Sequence, residues 1–331
     1  MRSHVPAATA ERLAAGRWEN ARVEESGQFH RVLILDDVAV LRMTRAAEAG
    51  AATGTGFAPG GSPAEHLPRR MAFLDALAAS PLGIAVPAPL SRVWSVHDDG
   101  VPVRAAVLQP YLPGQPHPPH EGDPAVLRAI IEDLDRVDVS DPAIAEHLGE
   151  PFAFRGPWTP HRVAAVARLG EVLTTEERAL LPADWPATVE AITAAVTRWH
   201  DDPPVRPQLV HGDLAGHNMR WSPRPGAAPD EVHWELHGIL DWDLAHAGDP
   251  ARNVAYLGVW HGPQRIEAVA RNEAEAARAH VWLGAAALDS LDDARHRRSA
   301  TAAPVRFTKL LRKIVPRIAA AAQALPRAAG A

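Results

Sequence analysis

The sequence of 331 residues predicts an α+β protein of two lobes, with a small antiparallel-sheet lobe over residues 1–112 and a larger, mainly helical lobe over residues 113–331. Three observations carry this expectation. Two β-hairpin patterns fall within the first 112 residues, helical periodicity dominates residues 124–200, and "LPGQPHPP" gathers Pro and Gly around Pro113–Gly114, where the chain leaves the first sheet. A hydrophobic content of 47% is ample for a core in each lobe.

Taken in order, residues 7–15 form a first helix. "VLILDDVAVLRM" then reads as two apolar strands reversing at Asp36-Asp37, and "VWSVHDDGVPVRAAVLQPYL" repeats the design with its turn at Asp98-Asp99-Gly100. Between the hairpins, residues 46–63 are rich in Gly and small residues and suit a linker. From Gly56 to Gly61 the spacing is that of a phosphate loop, but Ser62 and Pro63 stand where Lys and Ser or Thr are needed. A helix is expected from Pro68 to about Ala79, since Pro is tolerated in a first turn. "PAVLRAIIEDLDRV" and "PATVEAITAAVTRWH" are further helices, and "RFTKLLRKIVPRIAAA" is a C-terminal one with a solvated basic face, interrupted at Pro316.

Composition narrows the function. Without Cys there is no disulfide, thiolate metal site or Cys nucleophile. The net charge of -6 is mild, although residues 251–331 hold 13 Lys or Arg against 6 Asp or Glu, and this distribution does not resemble a nucleic-acid footprint. No apolar run of 18 residues occurs and the opening segment lacks the continuous apolar region of a secretory signal, so a cytoplasmic protein is expected, as a monomer or homodimer without membrane or nucleic-acid partners.

The chemistry concentrates in "HGDLAGHNMRW", residues 211–221. Its H-x-D-x-x-x-x-N spacing, His211, Asp213 and Asn218, is that of the protein-kinase catalytic loop, in which the Asp meets the acceptor hydroxyl and the Asn binds magnesium. Asp213 is therefore the candidate catalytic residue, and the Asn218 amide oxygen is a neutral hard ligand for Mg2+. Twenty-three residues on, the apolar stretch Gly238, Ile239, Leu240 ends in Asp241, the expected second metal-binding residue.

"LVHGDLAGHN" and "GILDWDLAHAGDP" together resemble the aminoglycoside phosphotransferase and choline kinase superfamily, whose signatures are HGDxxxxN, an [IV]DW/F strand end and a GDP turn. "SGQFHRVLIL" and "VLRMTR" resemble the first-lobe strands of its macrolide phosphotransferase branch, and "VLQPYLPG" is similar to its interlobe hinge. The resemblance implies a bilobal protein-kinase-like fold, ATP or GTP as co-substrate with its base near Gln109, Tyr111 and Leu112, and Mg2+ as cofactor. It also implies a small-molecule hydroxyl acceptor, an antibiotic such as a macrolide or a metabolite.

The first lobe departs from the pattern. Kinase-like folds pair a Lys on the third strand with a Glu on the next helix. Here the only lysines are Lys309 and Lys313, so the phosphate-contacting role falls to Arg42, while Arg70 or Met71 stands at the Glu position. Glu65 or Asp75 substitutes as the acid, or Arg42 is held by Asp241 and the phosphates alone. Ser26 and Gly27 either offer backbone amides to the phosphates or form a plain turn.

Other residues admit two readings. His211 shapes the turn in preference to acting as a base. Asp243 is a third ligand only if the strand continues past Asp241, and Asp249 reads as a helix cap before Pro250. Asn253 stands where the family commonly has Asp, which weakens that acid's hydrogen bonding. Trp158, Trp260 and Trp282 either face an acceptor or pack in the core. Two rival functions remain: a nucleotide-binding scaffold without activity, motivated by Arg42 and Arg70, and a transition-metal hydrolase built on His211, Asp213 and His217.

Overall fold

The structure is a computed structural model that describes residues 5–24, 30–45, 62–98, 101–149, 156–225, 232–300 and 307–329. In chain order its first elements are α1 (Ala7–Ala14), β1 (Ala21–Glu24), β2 (His30–Leu35), β3 (Ala39–Thr44), α2 (Pro63–Ala79), β4 (Trp94–Asp98) and β5 (Val101–Pro110). Helices α3 (Pro124–Leu134), α4 (Pro142–Ala145), α5 (Pro160–Ala167), α6 (Thr175–Arg178) and α7 (Trp185–Asp201) follow. After β6 (Gln208–Val210) come the paired strands β7 (Met219–Pro225) and β8 (Val232–Ile239), then α8 (Ala251–His261), α9 (Ile266–Val269), α10 (Glu273–Ala300) and α11 (Thr308–Ala329).

The chain forms two compact units, neither continuous in sequence. The first comprises Met1–Pro118, Glu132–Gly156 and His211–Ala247, so the segment with the catalytic-loop motif folds with the sheet. The second comprises Pro119–Ile131, Pro157–Val210 and Gly248–Ala331.

In the first unit the sheet has the order β1-β2-β3-β5-β4 and is antiparallel throughout. Both predicted hairpins are present. Asp36 and Asp37 have φ of 49° and 50°, a left-handed pair within the three-residue connection 36–38, where the Val38 N–H donates to the Leu35 carbonyl at 3.0 Å and Leu35 pairs with Ala39. Asp36 also accepts the backbone N–H groups of Glu19 and Asn20, at 3.0 and 2.7 Å, and so fastens the entry into β1. The second turn includes residues 99–100, which lie outside the described residues. Leu13, Leu35, Ala39 and Leu108 form the buried core of this sheet, with Leu33, Val38, Leu41, Leu90 and Trp94 packed around it.

Helix α2 begins at Pro63, five residues before the Pro68 start read from the sequence. The cause is a capping box: the Ser62 hydroxyl accepts from the Glu65 N–H, and the Glu65 carboxylate accepts from the Ser62 N–H. Pro63 takes the first position, and Pro68, still close to the N-terminus, is carried inside the helix. The chain leaves β5 through Gly114, whose φ of +108° and close approach to the β7 backbone (an added Cβ would stand 2.6 Å from the Trp221 carbonyl) admit only glycine.

In the second unit α10 packs along α11. Pro316 does not interrupt α11, contrary to the sequence expectation. Leu311, Ile314, Ile318, Ala321, Ala324 and Ala328 recur at helical spacing and are all buried, and that continuous apolar stripe outweighs the cost of about 3 kcal/mol for an interior Pro. Asp249 is more than a cap. It accepts the Ala251 N–H at 3.1 Å, and its second oxygen accepts from Arg278 Nε and the Trp282 indole, both at 3.0 Å. Trp282 is thus a core residue, and Asn253 is bound by donating to the Leu209 carbonyl at 2.8 Å. No helix among the described residues is long and apolar enough to cross a membrane.

The capping box sets where α2 starts, so Ser62→Ala should lower unfolding free energy by about 1 kcal/mol in urea denaturation at constant m-value.

Candidate active site

All of the described candidate site residues lie in the first unit. The register of β7 and β8 brings its two halves together: Met219 faces Ile239, and the Leu240 N–H donates to the Asn218 carbonyl at 2.7 Å. Asn218 and Asp241 therefore stand at one end of the same hairpin. The loop before Asn218 is fixed by backbone shape. Gly212 has φ of +86°, and a Cβ there would come within 2.4 Å of the Leu244 carbonyl.

His211 is fully buried. Its Nδ1 accepts the Asp213 N–H at 3.2 Å, so Nε2 carries the proton and donates to the Leu240 carbonyl at 2.9 Å. Desolvation holds its pKa down at about 4, and the neutral ring shapes the turn, as the sequence reading preferred. With both nitrogens engaged, His211 is not disposed as a metal ligand. The ring packs on Trp242, centroids 4.5 Å apart, and Trp242 packs in turn on Phe73 of α2 at 6.3 Å.

Asp213 projects from this turn. One of its oxygens accepts from Asn218 Nδ2 at 3.0 Å and lies 3.5 Å from His217 Nε2. Desolvation acts to raise its pKa, but the hydrogen bond and charge of His217, with His211 and Asn218, outweigh it and hold the carboxyl below its ordinary value. His217 is raised by the same partner. Because Asn218 Nδ2 also donates to the Asp213 carbonyl, at 2.9 Å, its Oδ1 is the atom left for a cation.

Asp241 leaves the strand in a left-handed conformation, φ +57°, and its side chain is 54% exposed, open to a cation. Desolvation, then the neighbouring Asp243 and Asp213, raise its pKa to about 6. Such crowding of carboxylates beside an amide oxygen fits a hard divalent cation such as Mg2+, which would relieve the repulsion. No group of three or more His, Asp or Glu residues among the described residues forms a metal cage by itself.

Arg42, on β3, is buried. Its Nη2 lies 2.5 Å from Asp243 Oδ2 and 3.8 Å from Asp241 Oδ1, and it donates to His30 Nδ1 at 3.1 Å. Desolvation opposes the charge, yet Asp243 and Asp241 prevail and raise its pKa. Asp243 is held low by Arg42, His30 and Arg70 against its own desolvation. The sequence reading offered Glu65, Asp75 or Asp241 as partner. Glu65 is engaged with Ser62, Asp241 is the more distant acid, and Asp243 makes the contact. The strand does not continue past Asp241: the chain enters a 3-10 turn at Trp242–Leu244, and Asp243 meets Arg42 of β3. His30 gave no signal beyond lying in a strand.

At the end of β5 the Gln109 side chain donates to the Pro87 carbonyl at 2.5 Å, and the Tyr111 N–H donates to the Val38 carbonyl at 3.0 Å. Arg22 lies over the Tyr111 ring, 5.6 Å from its centroid. Leu112 is buried. Ser26 and Gly27 lie outside the described residues. In the second unit, Trp158 lines a groove of about 660 Å³ with Val163, Glu190, Thr197 and Asp201.

Two neutral imidazoles, the buried His211 and the largely enclosed His30, give the site a pH signature. His30 titrates at about 3 through desolvation and Arg42, and His211 at about 4. Between these values and the ordinary His pKa of about 6.5, the unfolded chain binds more protons, so stability falls as pH drops through that window. Asp241, raised to about 6, and His217, raised by Asp213, act oppositely, but the two imidazoles are displaced furthest from their ordinary values and set the direction. Urea midpoints should fall from pH 7 to pH 5, and His30→Asn should reduce that fall. Equal midpoints would contradict the neutral assignment.

A family model described as the phosphotransferase enzyme family matches residues 13–305. Viomycin phosphotransferase of Streptomyces vinaceus is 25% identical over 276 residues, covering 77% of this chain and 78% of its own. The GDP complex of wild-type aminoglycoside 2'-phosphotransferase-IIIa aligns with a TM-score of 0.54 at 14% identity, covering 96% of this chain and 97% of that one. A choline/ethanolamine kinase family protein from Mesorhizobium loti aligns with a TM-score of 0.55 at 15% identity, over 98% and 99%. These neighbours share the kinase-like fold, an antiparallel-sheet region followed by a mainly helical one. With the family match spanning most of its length, the chain belongs to the phosphotransferase enzyme family and is a phosphotransferase with an alcohol group as acceptor.

Proposed function

We propose that the protein is a small-molecule kinase that moves the γ-phosphoryl group of ATP or GTP to a hydroxyl of an antibiotic or metabolite. The observation that supports this best is the convergence of Asp213, Asn218, Asp241 and Arg42 within one unit, around a single hairpin end. In this reading residues 1–112 bind the nucleotide, and residues 113–331 supply the catalytic loop and the acceptor site.

Each side chain has one task. Asp213, kept ionised by its neighbours, orients the acceptor hydroxyl and accepts its proton as the hydroxyl oxygen bonds to the γ-phosphorus and the bond from that phosphorus to the bridging oxygen breaks, releasing the nucleoside diphosphate. Asn218 Oδ1 and Asp241 would hold Mg2+, which when bound neutralises phosphate charge. Arg42 presents its guanidinium to the phosphates. Because phosphoryl transfer is chiefly positioning and charge neutralisation, no nucleophile triad is needed. The base would be held by backbone at Leu112, since the Gln109 side chain and Tyr111 N–H are already engaged, with the Tyr111 ring at its edge. Ser26 and Gly27 are assigned to the phosphates by sequence alone.

The acceptor is the finer question. Strand and hinge resemblance favours a macrolide, whereas the relative from Streptomyces vinaceus is named for viomycin. The surplus of cations over residues 251–331 disfavours a polycationic aminoglycoside. Incubation with Mg2+, ATP or GTP and each of these three classes, read as a mass gain of one phosphate, decides between them. Asp213→Ala should lower turnover by roughly 10²–10⁴-fold with the circular dichroism spectrum unchanged, and Asp241→Ala should abolish it. Near-wild-type rates in either variant would refute the scheme.

A further inference from the structure

Arg42 carries a charge into the interior of the first unit, where a guanidinium needs an anion beside it. The helix that follows the third strand in kinase-like folds normally supplies that anion. Here the acids that Arg42 meets, Asp243 and Asp241, lie outside α2, whose Asp75 is exposed. Arg70 is itself a cation, its buried Nη1 has no hydrogen-bond partner, and its guanidinium rests near Gly149 and the Ala245 carbonyl. Glu65 is committed to the helix cap.

Asp243 fits the vacancy in charge and position. Its Oδ2 lies 2.5 Å from Arg42 Nη2, and its side chain is 15% exposed, against 54% for Asp241. The two acids differ in access: the open one faces incoming cations, and the enclosed one faces Arg42. His30 closes the third side of the guanidinium, with its Nδ1 at 3.1 Å.

We propose that Asp243 is the positioning residue that holds Arg42 toward the nucleotide phosphates, replacing an acid on α2, and that it acts through Arg42 and not as a metal ligand. The inference rests on the phosphoryl-transfer reading of the same site. It has a structural consequence: the single turn at 241–244 sets both the cation-binding carboxylate and the phosphate-contacting guanidinium, while α2 contributes packing through Phe73 and Trp242.

The experiment uses full-length protein, Mg2+ and ATP or GTP, with nucleotide binding measured by calorimetry and initial rates measured with the accepted hydroxyl substrate. Asp243→Asn should raise the nucleotide KM and Kd by about tenfold or more, and Asp243→Glu should recover part of that loss. The Mg2+ concentration for half-maximal rate at saturating nucleotide should stay within about twofold in Asp243→Asn and rise clearly in Asp241→Asn. Added to Arg42→Gln, Asp243→Asn should change the nucleotide KM by less than about twofold, since its effect passes through the missing guanidinium. That double variant removes both members of the Arg42–Asp243 pair together, so it carries the test even if Asp243→Asn alone fails to fold.

A normal nucleotide KM in Asp243→Asn, an additive loss in the double variant or a shifted Mg2+ midpoint would each overturn the assignment while leaving the kinase reading in place. Wild-type protein that binds no Mg2+-nucleotide would overturn both.

Discussion

The contact between Arg42 and Asp243 is the constraint on which the first unit turns. It joins the middle of the sheet to the turn that follows β8, across 201 residues of chain. Two desolvated charges at 2.5 Å contribute little net stability, because desolvation offsets most of their attraction. Removing one partner is a different matter, since the other is then left charged and enclosed. The pair therefore acts less as an adhesive than as a specification: β3 and the turn at 241–244 must meet in one register. That register places a guanidinium beside the carboxylates that gather at the hairpin end.

Around this contact the site is organised by backbone shape more than by side-chain variety. Gly212 lets the catalytic loop approach Leu244, and His211 bonds both the Asp213 N–H and the Leu240 carbonyl, so the two loops are stitched across the hairpin. Asp241 pays a local penalty in its left-handed conformation, and strain of that kind persists where the surroundings over-determine it. The surroundings here are Trp242, whose indole donates to the Ile239 carbonyl at 2.9 Å, with His211 and Phe73 against its ring. A carboxylate so fixed is available to a cation without reorganisation, as positioning chemistry requires.

Much of this was legible in the sequence, and the gaps have physical causes. The hairpin at Asp36-Asp37 and the pairing of the Asn218 and Asp241 segments follow from local patterns, because turn residues and apolar alternation are short-range signals. The start of α2 is equally local, written in the capping pair Ser62 and Glu65, although Ser62 and Pro63 also fall where a phosphate loop would need Lys and Ser or Thr, and that spacing masks the cap. Pro316 was misread because a helix is decided by the surface it buries as well as by its breakers. The Asp243 partner was out of reach for a deeper reason. Its direction depends on whether the strand continues past Asp241, and that depends on tertiary packing of Trp242, which no neighbouring residue announces.

Under the proposed assignment, moving the acid from a helix to the turn at 241–244 changes what must stay rigid. When a helix holds the phosphate-contacting cation, displacing that helix disables the site, and the helix becomes a natural point of control. With Asp243 in that role, the acid that holds the cation and the Asp241 carboxylate share one short turn, which α2 braces through Phe73 and Arg70 without supplying the acid. An Arg in place of Lys suits the arrangement, because a planar fork can keep Asp243 on one nitrogen and still present N–H groups elsewhere, which a single ammonium does less well. Arg70 completes the logic: a cation at the old acid position would repel Arg42 if it were brought close, yet it stabilises Asp243 as an anion. The exchange of charges between α2 and the turn is thus self-consistent, and each of its three members makes sense only with the other two in place.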